Sequence, residues 1–303
     1  MRSVIQQLSV YFKQLNKSIF VLSALFTALL VFINYYFDLN DWIFTLQKPL
    51  QYLSWYIVFL VAFSFSYLLL IPFKQQNLFK ENRFTLLLLI APVLFAWKMA
   101  ADIEVDFSDS YAVNNYWNRV IYYPAKLIVI AAGLFIIWRM FDKEQEYYGT
   151  DLKQFHPRPY LLMLLIMVPL IAAASTQPDF LSIYPKLKSI KSFLATHDSP
   201  WYKLLYELSY GIDFVGIELF FRGFLILAFI KWAGKDAILP MACFYCTIHF
   251  GKPLGECISS FFGGLILGVV TYHTRTILGG LIVHLGIAWL MEVGGYFGNA
   301  FLK

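Results

Sequence analysis

This sequence is poor in charge. Only 14% of its 303 residues are Asp, Glu, Lys or Arg, against about 25% in soluble domains, while 59% are hydrophobic and the mean hydropathy is +0.62. That balance excludes a water-soluble enzyme and a disordered tail, and it predicts a polytopic membrane protein. The net charge of +5 is thinly spread and forms no one-faced basic cluster of the kind a nucleic-acid surface needs, so no nucleic-acid partner is expected. Cysteine is scarce. Cys243, Cys246 and Cys257 fall in one late apolar stretch, where a secreted disulfide framework would use an even set in polar loops, and they read as free thiols. Neither H-E-x-x-H nor a paired C-x-x-C set is present, and no repeat with a period of roughly 20–50 residues appears.

Aromatic residues, by contrast, reach 19%, which suits lipid-facing surfaces and interfacial belts. A membrane span needs about 20 mostly apolar residues to cross roughly 30 Å of hydrocarbon. Nine stretches approach that length, near 18–37, 52–73, 84–101, 119–140, 159–176, 206–232, 236–251, 256–273 and 276–298. The run from Phe84 to Trp97 shows none of the alternation of a transmembrane β-strand, so the expected fold is all-α, a polytopic bundle of eight to nine spans. Residues 1–17 place Val4, Ile5, Leu8, Tyr11, Phe12 and Leu15 at helical spacing among Arg2, Lys13 and Lys17, the pattern of an interfacial amphipathic helix. Residues 18–176 then form the N-terminal spans, 177–205 the longest polar connection, and 206–303 a four-helix core.

Orientation follows from Lys and Arg in the short loops. With nine spans, one side carries Arg2, Lys13, Lys17, Lys74, Lys80, Arg83, Arg139, Lys143, Lys153, Arg158, Lys231, Lys235 and Arg275, thirteen in all. The other carries eight: Lys48, Arg119, Lys186, Lys188, Lys191, Lys203, Lys252 and Lys303. The bias places the N-terminus in the cytoplasm, and the setting expected is a bacterial inner membrane or its equivalent. Lys98 and Lys126 sit near span ends, where long side chains snorkel to water.

Charges within a span are expensive and face a partner or a water-filled cavity. Here they cluster late: Asp213, Glu218 and Arg222 on one span, His249 on the next, His284 and Glu292 on the last. Glu218 and Arg222 lie four residues apart, about 40° around a regular helix, and can pair directly. A Glu with two His can activate a water and stabilise the oxyanion of amide hydrolysis without a nucleophilic side chain. The same three could instead hold zinc, with Cys246 as a fourth ligand. Arg222 beside Glu218 competes for that carboxylate and repels a dication, so the expectation is metal-independent chemistry with no cofactor. Glu256 at a span start reads as a helix-dipole cap, and Glu292, about 80° from His284 around the helix, as a second carboxyl able to reach the same cavity. Gly264 and Gly268 form a small-xxx-small packing pair.

At these residues the chain resembles the CAAX-protease and bacteriocin-processing family of intramembrane proteases, over roughly 205–298. The family's first motif, E-E-x-x-x-R-G, matches Ile217 to Gly223 except that Ile217 stands at the first glutamate. The second, F-x-x-x-H, matches Tyr245 to His249 with an aromatic exchange. The third, H-x-x-x-N, begins at His284 and ends on Ala288. The resemblance implies that the first glutamate activates water and that the asparagine helps hold the oxyanion. Glu218 replaces that base only if the helix turns it inward, or Glu256 or Glu292 supplies the carboxylate. The expected catalytic set is Glu218, Arg222, His249 and His284, with Tyr245, Glu256 and Glu292 in support. The implied activity is an intramembrane endopeptidase acting on a lipidated CAAX-type or small membrane peptide. The alternatives are a catalytically silent binding or immunity-type relative and, third, an ion-coupled transporter built on Asp213, Glu218 and Glu292.

Overall fold

A computed structural model describes residues 4–151 and 157–301. Arg2, Lys153 and Lys303, three of the cations counted in the side-to-side bias, lie outside those residues. The described chain is helical throughout, with no strand. Its elements are α1 (Val4–Gln14), α2 (Lys17–Tyr36), α3 (Leu39–Thr45), α4 (Lys48–Leu68), α5 (Leu70–Lys74), α6 (Asn82–Ala100) and α7 (Tyr111–Ile137). They continue with α8 (Arg158–Ala174), α9 (Pro178–Ile183), α10 (Lys191–Leu194) and α11 (Pro200–Glu218). The last are α12 (Ile230–Ala233), α13 (Ile238–Thr247), α14 (Leu254–Thr274) and α15 (Leu278–Phe301). Two helices change pitch: α7 runs into a π-helical turn, Trp138–Asp142, and α11 runs into a ten-residue π-helical segment, Leu219–Ala228.

The helical bundle expected from composition is found, with fewer full crossings than nine. By length and composition six helices among the described residues can span a membrane, or seven if α8 and the 178–194 segment, bent by 95°, make one broken span. The 206–232 stretch is divided between α11, which carries Lys203, Glu207, Asp213 and Glu218, and the π-helical segment. The 236–251 stretch yields in α13 only ten residues, about 15 Å of helix, half the hydrocarbon thickness.

Contacts divide the chain into two units, each discontinuous in sequence. The first comprises Met1–Ala101, Gly133–Lys153 and Leu219–Ile277. Its core is aromatic. Phe244 on α13 lies 4.8 Å from Phe59 and 5.2 Å from Phe221, and Phe95 on α6 lies 4.9 Å from both Phe220 and Phe221, ring centre to ring centre. The aromatic surplus therefore does more than face lipid, because tilted and edge-to-face rings interlock around the π-helical segment. Helix α1 packs on α14 with Gln7 and Tyr11 buried, while Ile5 and Phe12 stay exposed. Lys98 is buried in this unit rather than snorkelled, its ammonium 5.4 Å from the centre of the Phe95 ring.

The second unit comprises Asp102–Ala132, Gln154–Glu218 and Leu278–Lys303. Helix α15 packs against α8 and α11. The 177–205 connection is largely helical: Phe180 and Tyr184 bury against Ile171 and Met291, and Ile190 and Phe193 bury against Tyr116, Val120 and Tyr206. Its polar average conceals apolar residues spaced to pack as short helices. Lys126 is buried as well, hydrogen-bonded to the Tyr122 hydroxyl and lying 3.8 Å from that ring's centre, a partner that replaces the water a snorkelling lysine would seek.

Candidate active site

The unit boundary falls after Glu218, which puts the first motif's carboxylate in the second unit and its arginine in the first. In the second unit Glu218 closes α11 and is fully buried. Its Oε1 lies 2.9 Å from His284 Nδ1 on α15. A carboxylate can only accept, so Nδ1 carries the proton and, in the neutral ring, Nε2 keeps its lone pair. Phe214, one turn before Glu218, sets its ring edge-on to the imidazole at 4.7 Å between centres, fixing its plane. The pairing also depends on Gly280, one turn before His284. A Cβ there would overlap Glu218 Oε2, so the missing side chain is what lets the carboxylate lie against α15.

Gly280 and Phe214 are functional neighbours that sequence reasoning missed. Both signals were present: Gly280 to His284 and Phe214 to Glu218 are each i, i+4 pairs, which share a helix face. Ile217, at the family's glutamate position, is buried, and so is Ala288 at the asparagine position.

In the first unit Arg222 is fully buried on the π-helical segment, and its guanidinium carbon stands 4.1 Å from the centre of the Tyr245 ring. π-Helical turns inside α-helices concentrate at functional sites, and this one holds the motif's arginine and glycine. Gly223 has a packing reason of its own, since a Cβ there would stand 2.7 Å from the Tyr148 carbonyl oxygen. His249 follows α13 in a turn. Its Nδ1 lies 2.9 Å from the Tyr245 carbonyl oxygen and its ring packs edge-on to Tyr245 at 4.8 Å. That bond places the Nδ1 proton and leaves Nε2 for chemistry. Tyr245 thus joins Arg222 to His249, and Gly264 on α14 admits its ring, a Cβ there lying 3.0 Å from Tyr245 Cδ1.

The other candidates are engaged differently. Glu256 in the first turn of α14 pairs with Lys252 at 3.7 Å. Glu292 accepts backbone N–H bonds from Lys186 at 2.8 Å and Leu187 at 3.2 Å, so it ties α15 to the 186–190 turn. Cys246 donates to the Cys257 carbonyl oxygen at 3.3 Å, with the two sulfurs 4.0 Å apart. Among the described residues no three His, Cys, Asp or Glu side chains are grouped to hold a metal ion.

Residues 201–290 match the family model described as type II CAAX prenyl endopeptidase, Rce1-like. No curated protein and no solved structure matches the chain. The matched segment contains Glu218, Arg222, Tyr245, His249, Glu256 and His284, and stops short of Glu292. Several of its helices are long and apolar enough to cross a bilayer, which makes the chain an integral membrane protein, and its candidate site residues lie in a segment similar to the Rce1-like CAAX endopeptidases.

Proposed function

We propose that this protein is an intramembrane endopeptidase that hydrolyses a peptide bond of a prenylated, CAAX-type substrate, using water activated by Glu218 and His284. The observation that carries the reading is the buried 2.9 Å contact between Glu218 and His284, made by two residues that occupy motif positions of the matched segment. Glu218 orients the ring and stabilises the imidazolium that forms as Nε2 takes a proton from water. Burial strengthens that ion pair relative to water, and the proton later passes to the leaving amine. Motif order supports a part for His249 in the reaction, with Arg222 holding the Tyr245 ring that packs on its imidazole. His249, with Nδ1–H donated to the Tyr245 carbonyl, keeps Nε2 open to protonation and is then able to donate a hydrogen bond from it.

The test is cleavage of a fluorescent farnesylated CAAX peptide by the purified chain in vesicles. Wild-type turnover that disappears in Glu218→Gln and His284→Ala supports the proposal. Absence of wild-type turnover, with hydrolysis gained in Ile217→Glu/Ala288→Asn, would identify a silent relative instead, the reading favoured by the apolar residues at those two positions.

A further inference from the structure

A second site lies in the first unit. A cavity of about 480 Å³ opens where the π-helical end of α7, the start of α6 and α12 come together. It is lined by Arg83, Lys143 and Lys231 against Asp142 and Glu144, with Met140, Phe141 and Gln145. The acids do not cancel the bases evenly. Asp142 is buried and already held by the Lys231 ammonium and, at 2.9 Å, by the Tyr148 hydroxyl. Burial, then the neighbouring carboxylate, pushes the Tyr148 phenol far above its ordinary range, so it stays a donor. Arg83 and Lys143 have no hydrogen bond or ion pair among the described residues, and against them stands only the exposed Glu144.

Gln145 adds an independent observation. Its backbone is fixed, the carbonyl accepting from Trp138 Nε1 at 2.9 Å and the N–H donating to the Asp142 carbonyl at 3.0 Å. Its side-chain Nε2 is buried and makes no hydrogen bond. A buried donor is costly to leave unmade, and a cavity wall with that donor and two cations faced by a single exposed carboxylate calls for an anion rich in acceptor oxygens.

We propose that this cavity binds a phosphate oxyanion, with Arg83 and Lys143 as its charge partners and Gln145 Nε2 as a hydrogen-bond donor, and that the phosphate belongs to an anionic phospholipid headgroup. Lipid is favoured over free phosphate by place and by lining. The candidate spans α6 and α7 begin and end at this cavity, which sets it at a membrane–water boundary. Met140, 68% exposed, and Phe141 stand beside the cations to meet glycerol and acyl carbons. Basic pockets between spans are a recurrent form of headgroup recognition.

The experiment is thermal unfolding of the full chain in a non-ionic detergent with added dioleoylphosphatidylglycerol, dioleoylphosphatidylcholine or inorganic phosphate. Phosphatidylglycerol is expected to raise Tm by on the order of 3 °C, phosphatidylcholine and phosphate by none. The shift should vanish in Arg83→Ala/Lys143→Ala and persist in the charge-conserving Arg83→Lys/Lys143→Arg. Gln145→Leu, which keeps both cations, should lower it, so the site stays testable if the double alanine variant fails to fold. An equal shift with phosphatidylcholine, or one retained in both Gln145→Leu and the alanine pair, overturns the site. A shift with inorganic phosphate as large as with phosphatidylglycerol overturns the lipid assignment.

Discussion

The motif residues of the two units are held by different forces. In the second unit Glu218 and His284 are joined by a charge-assisted hydrogen bond, against a helix surface cleared by Gly280. In the first unit Arg222 and His249 are both arranged by one phenol ring, Tyr245, inside an aromatic core. A hydrogen bond between a carboxylate and an imidazole is directional and sensitive to fractions of an ångström, whereas ring packing is broad and distributed over many neighbours. Perturbing the Glu218–His284 pair should therefore show mainly in chemistry, and perturbing the Arg222–Tyr245 packing mainly in stability.

The largest effect is expected where that distinction is sharpest. Glu218→Gln and His284→Ala should each lower kcat for peptide cleavage by about 10²–10⁴, with unfolding changed far less. Two variants that cleave like wild type would place the chemistry elsewhere. Next comes Gly280→Ala, which leaves every motif residue intact but drives a methyl group into Glu218 Oε2. We expect kcat to fall at least about tenfold, and the larger Gly280→Val to abolish turnover. Unchanged kcat in Gly280→Ala would mean that the carboxylate does not need to lie against α15.

In the first unit, Arg222→Lys keeps the charge but gives up the planar stack on Tyr245. It should destabilise the protein by about 1–2 kcal/mol, read as a lower midpoint in detergent, and Tyr245→Phe should cost less because the ring remains. A greater loss in kcat than in stability would move Arg222 into the chemical step. Gly264→Ala, a 3.0 Å approach to Tyr245, should destabilise by about 1 kcal/mol. The smallest change is expected from Glu256→Gln. Its pairing with Lys252 is long and partly exposed, and such pairs contribute about 0–1 kcal/mol. A hundredfold loss of turnover there would return Glu256 to the list of catalytic carboxyls.

Much of this was legible in the chain itself. A composition this apolar admits little besides a helical membrane bundle, because only helices and closed barrels satisfy the backbone within lipid and no strand alternation is present. The order Glu218, Arg222, His249, His284 carried the resemblance, and their chemistry limited the reactions worth considering. Hydropathy is local, however, while crossing a bilayer is not. Residues 236–251 score as a span yet fold into the ten-residue α13, and 177–205 reads as polar yet buries Phe180, Tyr184, Ile190 and Phe193.

Three matters were left to tertiary structure. Glu218 stands about 100° from Ile217 on a regular helix, and no periodicity in the sequence says which of the two meets α15. Packing decided it, by closing α11 on Glu218 and bringing His284 to the carboxylate across Gly280. The π-helical segment that carries Arg222 packs Phe220 and Phe221 against Phe244, a long-range contact with no local signature. Glu292, chemically as suitable a base as Glu218, was drawn to the backbone of Lys186 and Leu187. Residue type determines what a side chain is able to do, but a hydrogen bond reaches only about 3 Å, so which ability is used depends on neighbours that only the folded chain supplies.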